Sequence, residues 1–107
     1  MTIQRVTKST LQVLTALADA GEATWGIRIM QATGLQSGTV YQILERLEAG
    51  NLVVSEWEPD NDRRGPRRRL YKLTDLGFET QTQMKAVIDG VEAAKALAKS
   101  LSQTRHA

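Results

Sequence analysis

The chain has 107 residues, 41% of them hydrophobic and 24% charged, with no cysteine and a formal net charge of +2. That length suits one domain with one extended terminal element at most, and the lack of cysteine excludes disulfide staples and thiolate metal sites and fits a reducing cytoplasm. No apolar run approaches the ~20 residues that cross a bilayer, and the opening Met1-Thr2-Ile3-Gln4-Arg5 lacks the apolar core of a secretion signal, so a cytoplasmic protein without a membrane partner is expected.

Thr7-Lys8-Ser9-Thr10 supplies a cap for a first helix. Leu11, Leu14, Leu17 and Ala18 give it one apolar face at three- and four-residue spacing, and Gly21 ends it. Thr24 is expected to cap a short second helix over residues 25–33, with Ile27, Ile29 and Met30 as its apolar contribution and Gly34 as its stop. A third helix is expected from Ser37, whose hydroxyl can accept an orphan amide hydrogen at the helix start. Val40, Ile43, Leu44 and Leu47 fall on one side of it and Gly38, Gln42, Glu45 and Ala49 on the other, with Thr39, Tyr41 and Arg46 on the flanks. Gly50-Asn51 terminates it, and residues 34–37 match the short turn of a helix-turn-helix.

Residues 52–58 read as a strand from their β-branched and aromatic content, and Pro59-Asp60-Asn61-Asp62 breaks it. Residues 67–73 read as the returning strand, with Tyr71 and Leu73 facing the core and Arg69 near the sheet edge or past the core. Thr74-Asp75 opens a last helix, a hydroxyl cap followed by an acid at the positive end of the dipole. Met84, Val87, Ile88, Val91, Ala94, Leu97, Ala98 and Leu101 form an apolar stripe close to heptad spacing. Gly90 weakens it by up to ~1 kcal/mol relative to alanine, and residues 103–107 read as a frayed tail. The order helix, helix, helix, strand, strand, long helix defines a mainly α chain with a small β-hairpin. It is a winged helix-turn-helix over residues 1–74, followed by a C-terminal helix and tail over residues 75–107.

The net charge is small, but its placement is uneven. Arg63, Arg64, Arg67, Arg68, Arg69 and Lys72 put six of the fourteen cations in residues 63–72, with no acid among them. Such clustering is an electrostatic footprint for nucleic acid, with a solvated charged turn as the bland alternative. A short helix fits the major groove of DNA, and a basic ribbon beside it grips phosphates. Ser37, Gly38, Thr39, Tyr41, Gln42 and Arg46 are therefore the candidate recognition surface. Gly38 lets the backbone approach a phosphate at the helix start. Ser37 and Thr39 reach phosphate or a thymine methyl, Gln42 can pair bidentately with adenine, and Arg46 reaches a phosphate, or a guanine if the helix lies flat. Tyr41 either joins this surface or merely packs, and Glu45 disfavours deep insertion of the helix's C-terminal half. Arg63, Arg64, Arg67 and Arg68 are expected to touch the DNA backbone or enter the minor groove, with Asp60 and Asp62 opposing them.

Trp25 and Trp57 invite a ligand-stacking role, with plain core or interface packing as the alternative. His106, the one histidine, lies in the tail and makes no metal site; no catalytic motif or glycine-rich phosphate loop is present, so neither an enzyme nor a cofactor is expected. A last helix of about 28 residues is ~42 Å long, more than a domain of this size covers. Leu11 and the stripe from Met84 to Leu101 are accordingly expected at a dimer seam. A two-fold pair would set its recognition helices ~34 Å apart, one turn of DNA.

Gly34-Leu35, Gly38-Thr39-Val40-Tyr41-Gln42-Ile43-Leu44, Arg46-Leu47-Glu48 and Gly50-Asn51-Leu52 resemble the PadR family of bacterial transcriptional regulators. So does the run from Gly65-Pro66 through Arg67-Arg68-Arg69-Leu70 to Tyr71, Leu73, Thr74 and Gly77, although Ile27 stands where an aromatic is more usual. The resemblance covers residues 11–77, with the last helix agreeing in kind only, and matches the short form of the family with one C-terminal dimerisation helix. It implies a homodimeric repressor and, as in many relatives, a small effector such as a phenolic or a drug. The expected function is thus a sequence-specific DNA-binding regulator occluding a promoter palindrome. Its partners would be double-stranded DNA, a second copy and a small planar effector. Release would come through a change in the angle between the last helices. Two alternatives stay open: a winged-helix protein-interaction module whose arginines meet an acidic partner, and a DNA-binding accessory factor of a mobile element.

Overall fold

The structure, a computed structural model, describes residues 7–59 and 65–104, with side chains to residue 102. The elements are α1 (Lys8–Ala20), α2 (Gly26–Thr33), α3 (Ser37–Ala49), β1 (Val53–Trp57), β2 (Arg69–Leu73) and α4 (Asp75–Thr104). Arg63 and Arg64, with Asp60 and Asp62, lie outside the described residues, as do Met1–Arg5 and His106.

Helix ends follow local chemistry where a side chain is close enough to supply it. The Thr10 amide donates to Thr7 Oγ1 at 3.1 Å, and Gly21 and Gly34 close α1 and α2 with φ of 69° and 75°, the left-handed region that suits glycine. The Gly77 amide donates to Thr74 Oγ1 at 3.0 Å and starts α4. Two expected caps are absent. Ser37 is the first residue of α3, after Gln36, which makes no side-chain cap. Thr24 stands outside α2, because its backbone is used elsewhere. Its N–H donates to Tyr71 O at 3.0 Å and its C=O accepts from Tyr71 N–H at 2.7 Å. A single residue thus adds a third strand to the two-stranded sheet, on the β2 edge away from β1. At the end of α3 the left-handed residue is Asn51 (φ 62°), not Gly50.

The core is one cluster. Val13, Leu14 and Leu17 of α1, Ile29 of α2, Val40, Ile43, Leu44 and Leu47 of α3, Leu52 and Val53, Leu73, and Met84 of α4 are all buried. Ile27, expected in this set, is 57% exposed, since it lies on the solvent side of an eight-residue helix whose inward face is taken by Gly26 and Ile29. Met84, expected at a dimer seam, is buried in the core of this chain; α4 still lies against α1 at that point, and the Gln81 amide reaches Thr15 Oγ1 at 3.3 Å. Beyond it α4 leaves the body. Val87 is 52%, Val91 48% and Leu97 61% exposed. The Lys8–Glu92 ion pair (2.8 Å) is the outermost described side-chain tie between α4 and α1, and both side chains are largely in solvent. It raises the Lys8 pKa and lowers that of Glu92, chiefly through their hydrogen bond.

Candidate nucleic-acid interface

α3 buries Val40, Ile43, Leu44 and Leu47 and leaves Ser37, Gly38, Tyr41, Gln42, Glu45 and Arg46 exposed, with Thr39 half-buried. The apolar ridge seats the helix, and the expected recognition residues are what remains outside. Tyr41 belongs to both sides of that division. It is 46% exposed, yet its ring and hydroxyl lie so close to Gly26 that a methyl group there would overlap them. Gly26 is therefore the seat on which the N-terminal half of α3 rests against α2.

The wing is an antiparallel pair in the register Val53↔Leu73, Val54↔Lys72, Ser55↔Tyr71, Glu56↔Leu70 and Trp57↔Arg69. Past the last pair the chains stay joined through Glu58, which is buried. Its N–H donates to Arg68 O at 2.8 Å, and its carboxylate accepts the Arg68 N–H at 3.1 Å.

The wing's described arginines have three different environments. Arg67 is exposed. Arg69 Nε donates to Ser55 Oγ at 3.0 Å, Ser55 Oγ donates to Glu48 Oε2, and the Arg69 guanidinium stands 5.2 Å above the Trp57 ring. This relay ties the C-terminal end of α3 to the sheet. Arg68 is half-buried, with its guanidinium 4.1 Å from the centroid of Trp25; Arg28 approaches the same ring at 5.3 Å. Arg68, expected on DNA, is thus engaged within the protein. Tyr71, beside these groups, has a raised pKa, first because it is part-buried and then because Glu48 and Tyr41 disfavour a phenolate there, against the opposing Arg69.

Sequence reasoning did not find the Trp25–Arg68 stack, the Thr24 bridge or the Glu48–Ser55–Arg69 relay. A tryptophan directly before an eight-residue helix, in a chain with an arginine run, was the available signal. The two tryptophans hold arginines, while Trp25 also walls a cleft of about 590 Å³ between α1 and α2, with Leu11, Ala16, Asp19, Arg28 and Ile29 among its lining. Among the described residues no group of three or more His, Cys, Asp or Glu could hold a metal, and no helix is long and apolar enough to cross a membrane.

An exposed polar helix face braced against a basic hairpin is the arrangement of the winged helix-turn-helix regulators that bind DNA. The transcriptional regulator PadR-like family model matches residues 13–83, and the chain belongs to that family. No curated protein matches the sequence. Among solved structures, a PadR family transcription regulator from Clostridium difficile is 23% identical, with a TM-score of 0.71 over 89% of this chain and 99% of that one. A PadR family regulator from Eggerthella lenta is 22% identical, with a TM-score of 0.64 over 83% and 80%. BpsR of Bordetella bronchiseptica, whose DNA binding is regulated by 6-hydroxynicotinic acid, is 24% identical, with a TM-score of 0.67 over 92% and 78%. At these identities the structural likeness speaks for the fold; the family rests on the sequence match.

Proposed function

We propose that the protein is a cytoplasmic, homodimeric repressor that occludes a promoter by binding a palindrome through two winged helices. The observation that carries this reading is the exposed face of α3, with Gln42 at its centre, flanked by the basic wing. Ser37, Gly38, Thr39, Tyr41, Gln42 and Arg46 would read and position on the major groove, and Arg67 would meet phosphate. α4 would act as the dimerisation element. Val87, Val91, Ala94, Leu97 and Ala98 are exposed and Ile88 half-exposed, an apolar stripe that water disfavours and a second copy can cover. Leu11, half-buried beside the core, would lie at the edge of that seam.

The effector would be a small planar molecule, and the α1–α2 cleft walled by Trp25 is the candidate place for it, its volume lying within the range of small-molecule sites. Nothing in this reading calls for an enzyme or a cofactor.

Selection of bound sites from random duplex DNA tests the proposal. A symmetric pair of half-sites about 10 base pairs apart, centre to centre, is expected, and an asymmetric single site would overturn the dimer arrangement. Gln42→Ala is expected to weaken the selected site by roughly 1–3 kcal/mol while sparing random DNA; equal loss on both would remove Gln42 as a base reader.

A further inference from the structure

Arg67 and Arg68 are neighbours in the same basic segment and would be taken for equivalent phosphate contacts, but only Arg67 is exposed. Arg68 is held at its backbone and at its guanidinium. Glu58 fixes its N–H and its C=O, at 3.1 Å and 2.8 Å, and its guanidinium lies 4.1 Å from the centre of the Trp25 ring. Trp25 sits between Thr24, which pairs with β2 through Tyr71, and Gly26, on which Tyr41 of α3 rests. Trp25 therefore stands where α2 and the wing meet, one residue from the seat of α3.

We propose that Arg68 is a positioning residue: its stack on Trp25 sets the angle of the wing against α3, and the charge that reaches phosphate comes from the exposed arginines such as Arg67. The proposal rests on the DNA-binding reading above. A guanidinium leaving Trp25 for phosphate would forfeit a stack with a half-buried ring. Geometry, rather than charge, is what Arg68 contributes.

Lysine separates the two roles, because it keeps the charge and loses the planar face. Arg68→Lys is expected to lower affinity for the selected operator about 5- to 30-fold, the span of one such stack. The slope of log K against log salt should stay unchanged. Trp25→Ala should match it, Trp25→Phe should recover part of the loss, and Arg68→Lys with Trp25→Ala should be no worse than either alone. Arg67→Ala should instead lower the slope by about 0.9 for each phosphate lost. Arg68→Lys binding as wild type, or Arg68→Ala lowering the slope as Arg67→Ala does, would overturn the proposal. A readout without DNA keeps it testable if the operator reading itself fails: with Trp57→Phe leaving Trp25 as the single tryptophan, Arg68→Lys should change its emission. Unchanged emission with an unchanged melting temperature would likewise overturn it.

Discussion

The body of the protein and the outer half of α4 are built from similar residues under different constraints. In the body, Leu14, Ile29, Leu44 and Leu47 are within 1% of complete burial, and the elements are cross-tied through Glu58, Thr24 and Ser55. From Val87 onward, α4 carries valines and leucines at helical spacing that are about half exposed to water. Thirty residues of helix rise about 45 Å, beyond what the five short elements can cover. A closed core shows that a chain can fold as a unit. An ordered apolar stripe outside that core is the surface that the proposed dimer would cover.

The contrast can be broken first at the core. Leu47→Ala is expected to destabilise the body by about 2–5 kcal/mol, since its side chain is fully buried and the surrounding helices relax only in part. Denaturant unfolding measures this, and a loss below 1 kcal/mol would mean that the core is looser than its burial implies. Val91→Asp is the complementary change. It places a charge on the exposed stripe and is expected to convert the proposed dimer to monomers in sedimentation and to remove the concentration dependence of the unfolding midpoint. A dimer that survives it would put the seam elsewhere.

Gly90→Ala sharpens the comparison. No atom lies within 4 Å of a methyl added there, so the substitution should raise helicity and stabilise the arm by up to ~1 kcal/mol. Weakened self-association instead would reveal that two helices cross closely at Gly90. The smallest effect expected concerns Tyr71, whose folded pKa lies above the ordinary 10.0. Its contribution is fully present below that value and is lost as pH rises through the higher folded value, because the unfolded chain releases the proton more readily. Tyr71→Phe should therefore flatten the alkaline decline of stability and leave neutral pH little changed. An identical alkaline arm in the two proteins would contradict the shift.

Legibility in the sequence followed the range of the interaction. Thr7, Gly21, Gly34 and Thr74 act within four residues of their own position, and their roles in starting or stopping helices could be read directly. The division of α3 into a buried and an open face could be read as well, because 3.6-residue periodicity is local information. Thr24 has the chemistry of a cap but spends its backbone on Tyr71, and no local rule weighs a helix start against a strand that returns much later in the chain. Arg68 is the same case in the candidate site. Charge and neighbours assign it to DNA, whereas a distant tryptophan holds it. Arg46 and Gln42 were legible as exposed, since nothing in the fold competes for them.

The root of α4 has a mechanical consequence. The Thr74 amide donates to Leu52 O at 3.0 Å, Thr74 Oγ1 donates to Asn51 O at 2.8 Å, and Gly77 lies so near Leu52 O that a methyl there would collide with it. These contacts tie the joint to the very turn that leaves α3. Under the proposed function, a rotation of the outer helix would pass through this joint to α3, much as turning a key's bow turns its bit. The pivot of the proposed dimer would then lie farther out, where its two long helices would meet.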